Sequence, residues 1–101
     1  GSLSGDDAAQ AFLSAPSQTM PGGESVSLRS NYLEMMTAVV EQLSEGVPSL
    51  TLVGPLDQSK LRSSLLLFLN ASTKLDDAEI INICTKGLEY LDNELKERGE
   101  L

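Results

Sequence analysis

The sequence predicts an all-α fold: a small bundle of three main antiparallel helices at about residues 27–45, 57–70 and 76–98. A flexible N-terminal arm that can hold a short extra helix precedes them. Three observations predict this class. Apolar residues recur at helical spacing through each of those stretches. Glycine and proline fall between the stretches rather than inside them, Gly87 excepted. The one partly alternating run, Ser49 to Val53, has no second strand to pair with.

Residues 1–26 form the arm. Ser, Gly, Pro, Ala and Gln dominate it, and Pro16, Pro21, Gly22 and Gly23 punctuate it. Such a stretch buries too little apolar area to offset its ordering entropy. Gly1-Ser2 reads as an expression scar and no methionine opens the chain, so the sequence is read as a piece of a longer protein or a trimmed small one. Within the arm, Asp6 and Asp7 precede Phe12 and Leu13, which leaves two readings. One is a nascent turn in a disordered tail; the other is a short helical motif that docks onto a groove, its own or a partner's.

The first long helix should start near Ser27 and end near Glu45. Tyr32, Met36, Val39 and Leu43 form its apolar stripe, which Leu33, Val40 and Val47 widen. Gly46 is the natural residue to end it and Pro48 prevents any continuation. Residues 46–56 are expected to be an extended loop laying Leu50, Leu52 and Val53 over the helices, with a chain-pairing edge as the alternative. Asp57 should cap the second helix. Its run Leu65-Leu66-Leu67-Phe68-Leu69 is apolar all round and must be covered on more than one side. Asn70 to Thr73 should end it.

The last helix has the most complete signals. Asp76 and Glu79 have capping-box spacing, and Leu75 with Ile80 have that of a hydrophobic staple. Ile81, Cys84, Leu88, Leu91 and Leu95 recur every three or four residues, the seam that packs against another helix. Gly99 after Lys96 and Arg98 is a stop signal, with the cations where the helix dipole favours them. Gly87 costs about 1 kcal/mol relative to alanine, which a close helix crossing would explain.

Fifteen acids against seven bases give a net charge of −8, which repels nucleic-acid phosphates and anionic lipid headgroups alike. With no histidine, the usual general base and commonest metal ligand are missing. A lone Cys84 on an apolar seam is a small core residue rather than a nucleophile, and it cannot form an internal disulfide. No apolar run reaches the ~20 residues that span a bilayer. These features lead to an expectation of a non-enzymatic, intracellular protein without metal or cofactor, cytoplasmic or nuclear.

The expected function is therefore protein–protein interaction by residues 27–101, through apolar surface that three short helices cannot hide. The expected contact residues are Leu66, Leu67 and Phe68 of the second helix and Ile81, Cys84, Leu88, Leu91 and Leu95 of the third. The partner is a second copy of the chain or an amphipathic helix of another protein.

Size, acidity and helix order resemble the acyl and peptidyl carrier proteins, whose second helix opens on Asp-Ser-Leu with phosphopantetheine on the serine. Here the connection ends Leu56-Asp57-Gln58-Ser59-Lys60-Leu61, with Gln58 between acid and serine and Lys60 between serine and leucine. The connection is also shorter than in that family. The resemblance implies a carrier-like or small-ligand-binding domain with Ser59 as the modified residue, which stands as the alternative function. Leu69-Asn70, Leu75-Asp76 and Ile83-Cys84 are similar to the small three-helix proteins that organise γ-tubulin rings. The Gly-x-Asn-Pro-Glu-Ala-Leu segment specific to those proteins is missing, which sets them aside.

Overall fold

The computed structural model describes residues 5–54 and 58–99. Gly1-Ser2, read above as a scar, and the expected cap Asp57 lie outside the described residues. The described chain is mostly helical, with five helices and two very short strands: α1 (Gly5–Ser14), β1 (Gln18–Thr19), β2 (Ser25–Val26), α2 (Leu28–Ser44), α3 (Ser49–Val53), α4 (Gln58–Lys74) and α5 (Ala78–Glu97).

The short helix inside the arm is present as α1, and it is docked rather than loose. Ala9 and Leu13 are buried in the common core, with Phe12 packed against it. Between α1 and α2 the chain makes a small antiparallel hairpin, Gln18 opposite Val26 and Thr19 opposite Ser25. Its turn closes where Met20 accepts the Gly23 N–H at 2.9 Å, with Gly23 at φ +86°. Pro21 in that turn presets φ, and Gly23 takes the positive φ that a side chain resists.

The bounds of α2 are set locally, as predicted. The Ser27 hydroxyl accepts the Ser30 N–H and the Ser30 hydroxyl accepts the Ser27 N–H, both at 3.0 Å, a capping box with serine at both ends. At the other end Gly46 adopts φ +93°, while Gly46 and Val47 donate to the Leu43 and Gln42 carbonyls.

Three local expectations are corrected. Residues 49–53 are a one-turn helix rather than an extended segment, because the Glu94 carboxylate, 45 residues away, accepts the Ser49 N–H at 3.1 and 3.3 Å. α4 runs on to Lys74 rather than ending at Asn70. Ala71 and Ser72 are fully buried there, and the Ser72 and Thr73 hydroxyls fold back onto the Leu69 carbonyl at 3.0 and 2.8 Å, so these polar residues stay helical. Asp76 then closes α4 instead of opening α5. It sits at φ +55°, with Asp76 donating to Thr73 and Asp77 to Ser72 in a Schellman closure. The cap of α5 is consequently Asp77, whose side chain accepts the Ile80 N–H. Glu79 bonds Arg29, and with Asp77 as the cap the Asp76–Glu79 box does not form and Leu75 and Ile80 no longer hold the two positions of a staple. Gly99, at φ +74°, follows the end of α5 as expected.

Consecutive long helices run antiparallel. Arg62 of α4 bonds Asp92 of α5 at 2.8 Å, and Leu65 faces Gly87. α2 runs alongside α5 in the same sense, Arg29 beside Asp77 at one end and Val40 beside Gly87 further along. A Cβ at Gly87 would lie 3.1 Å from Leu65 Cδ1 and 3.5 Å from Val40 Cγ2. Gly87 is thus the point where α2 and α4 both close on α5, which accounts for its low helix propensity being tolerated.

Candidate functional site

The apolar girdle of α4 is shared out among its neighbours. Leu65 is fully buried towards α5. Leu67 and Phe68 point to another flank, where α1 covers them. Leu67 Cδ1 would lie only 3.3 Å from a Cβ on Gly5. Phe68 stacks on Tyr32 of α2 with ring centroids 4.2 Å apart, and Phe12 of α1 stands edge-on to both, at 5.4 Å from Phe68 and 6.2 Å from Tyr32. Edge-to-face and offset pairs of this kind suit the ring quadrupoles. Leu66 remains 44 % exposed.

Charge fixes the register of α1. Asp6, 68 residues from Lys74 in sequence, accepts from the Lys74 ammonium at the end of α4 and from Gln10 Nε2 at 3.0 Å. The Asp6 carboxylate holds Lys74 in its charged form, raising its pKa. Near the other end of α1, Leu13 lines a shallow depression with Arg29, Asp77 and Glu79. Arg29 bonds the Asp77 carboxylate through both Nε and Nη2, at 2.6 and 2.8 Å, and holds Asp77 below the usual carboxylate range. That ion pair ties α2 to the cap of α5.

The predicted contact residues separate into two groups. Leu66, Leu67 and Phe68 lie together on α4. Cys84, Leu88 and Leu91 fill the chain's own core, so only half-buried Ile81 and Leu95 of the α5 seam reach the surface. The buried face of α5 is centred on Ile80, Cys84, Gly87 and Leu91, turned from the predicted seam because α5 packs on two helices at once. Cys84 Sγ lies 3.7 Å from the Tyr32 hydroxyl, and burial raises the pKa of both groups. Ser59, the residue of the alternative reading, is exposed in the first turn of α4.

Two parts of the α1 contact were not read from the sequence, Tyr32 as a stacking platform and Lys74 as the cation that donates to Asp6. The spacing Ala9, Phe12, Leu13 was the available signal for α1 itself. A second concavity, about 600 Å³, lies where α2, α3 and α5 end, with Leu50 and Tyr90 exposed beside Glu94 and Glu97. Among the described residues, no three His, Cys, Asp or Glu side chains are grouped to hold a metal ion, and no helix is long and apolar enough to cross a membrane. No protein-family model, no curated protein and no solved structure matches the chain.

Proposed function

We propose that this chain is a non-catalytic protein–protein interaction module, a docking, adaptor or dimerisation domain working inside the cell through the apolar flank of α4. One observation carries the reading. The girdle Leu65–Phe68 is too apolar for the three long helices to cover; a short helix on an exposed tether covers part of it, and Leu66 still faces water. A half-covered apolar flank on a small acidic domain is the kind of surface that an amphipathic helix or a second copy completes. The acid excess of the chain disfavours nucleic acid as that partner.

The test is solution mass across a concentration series by sedimentation equilibrium, with the wild type beside Leu66→Asp. A mass near twice that of one chain, lost in Leu66→Asp with helical circular dichroism unchanged, is the expected result for self-association. Capture of a partner helix that Leu66→Asp abolishes is the expected result for a foreign partner. A monomer whose partner binding is indifferent to Leu66 would refute the assignment of this flank.

A further inference from the structure

We propose that the groove between α2 and α4 recognises a helix of another protein bearing an acid, a small residue and a Phe-Leu pair at positions i, i+3, i+6 and i+7, and that α1 is its built-in competitor. This rests on the interaction-module reading and names the chemistry of the partner. The pattern is that of Asp6, Ala9, Phe12 and Leu13, which lie on one stripe of α1.

Each position has its counterpart in the groove. Asp6 meets the Lys74 ammonium, so an acid is specified there on a chain whose surface is otherwise dominated by acids. Ala9 is 4 % exposed, and Phe12 stands edge-on against the stacked pair of Phe68 and Tyr32. Leu13 is 5 % exposed beside the Arg29–Asp77 pair. A Leu67 methyl lies 3.3 Å from where a Cβ on Gly5 would stand, so the groove is narrow just before the acid.

Two further features make α1 an exchangeable occupant. At ten residues it is shorter than isolated helices that persist in water, so its helicity depends on docking. Its tether is exposed from Ser17 through Ser25 and contributes nothing to the core, to which α1 itself adds only Ala9 and Leu13 as buried residues. Held on such a tether, α1 competes at an effective concentration of roughly 1 mM, which an outside helix must overcome.

The experiment uses a fluorescein-labelled peptide with the sequence of residues 5–14, titrated by anisotropy with the full chain. The Leu13→Asp chain, its own helix released, is expected to bind the peptide about tenfold more tightly than the wild type, the factor set by removing a ~1 mM internal competitor from a ~100 µM site. A peptide with Phe12→Ala should lose that binding, and Lys74→Glu in the released chain should weaken it. Asp6→Lys releases α1 by setting two cations together without touching the core, and serves as the second variant should Leu13→Asp not fold. A released chain that keeps the circular dichroism of its long helices yet binds the peptide no better than wild type overturns the proposal. A wild-type dimer formed by exchanging α1 between copies overturns it too. The peptide titration does not depend on Leu66, so its failure and that of the self-association test are read apart.

Discussion

α5 and α1 both pack on α4, from different flanks, but they are held in different ways. α5 is 20 residues long, carries its own cap and stop, and buries Ile80, Ile83, Cys84, Gly87, Leu88 and Leu91. α1 is half that length and buries only Ala9 and Leu13, with Phe12 partly covered. Full burial of one large aliphatic side chain contributes about 1.5–3 kcal/mol. The α5 contact is therefore of the order of the whole stability of a small domain, whereas the α1 contact is of the order of a single local opening. The same chemistry of apolar stripes gives a permanent element in one case and an exchangeable one in the other.

The strongest way to break this contrast is to cut each helix at one large apolar side chain of its contact. Leu91→Ala should cost about 2–5 kcal/mol and lower the denaturation midpoint of the entire chain, because α2, α4 and α5 share that core. Phe12→Ala should cost less, about 1–2 kcal/mol, although a buried Phe elsewhere costs more. The loss is capped by the docking free energy of α1: once that is exceeded, the helix leaves and nothing further is at stake. Hydrogen exchange checks this directly. Amides of α1 should lose protection in Phe12→Ala while those of α5 keep theirs; equal loss in both helices would make α1 an integral part of the cooperative core.

How much of this was legible in the sequence follows from the range of each interaction. Ser27, Gly46 and Gly99 act within a turn or two of chain, and they set boundaries that could be read directly. Gly87 was legible as an anomaly, and the crossing with Leu65 and Val40 explains it. The docking of α1 depends on Lys74 and Phe68, more than fifty residues away, and no local pattern announces it. The helicity of residues 49–53 likewise depends on Glu94. For the α5 cap, two adjacent aspartates compete, and the choice falls on Asp77 only once α4 has run on to Lys74.

Tyr32 joins the two contacts, since its ring meets Phe12 and its hydroxyl meets Cys84. Burial raises the pKa of both the phenol and the thiol, so the folded state holds each in its protonated form. The stability they contribute is fully present below the unfolded values, near 8.5 for Cys and 10 for Tyr, and is lost as pH rises through and beyond them. Thermal midpoints should therefore fall on going from pH 8 to pH 11. The fall should be blunted in a Cys84→Ala, Tyr32→Phe double variant; an equal fall in that variant would assign the alkaline loss to the general charge of the chain.

The smallest expected effect concerns the joint between α4 and α5, and it has the opposite sign. Asp76 sits at φ +55°, in the left-handed region where a Cβ crowds the following carbonyl, at a cost of about 1 kcal/mol that aspartate partly relieves. Its backbone N–H still closes α4 on Thr73, and the next N–H closes it on Ser72, so the conformation is required whatever the side chain. Asp76→Gly removes the steric term but adds freedom to the unfolded chain, which takes back part of the gain. The expected net result is about 0.5 kcal/mol of added stability, read as a small rise in denaturant midpoint with an unchanged slope. Because the joint lies on the α5 side, the gain should appear in the global transition and leave the exchange of α1 amides untouched. A loss on Asp76→Gly would mean that the Asp76 carboxylate, next to the Asp77 cap, supports the start of α5 after all.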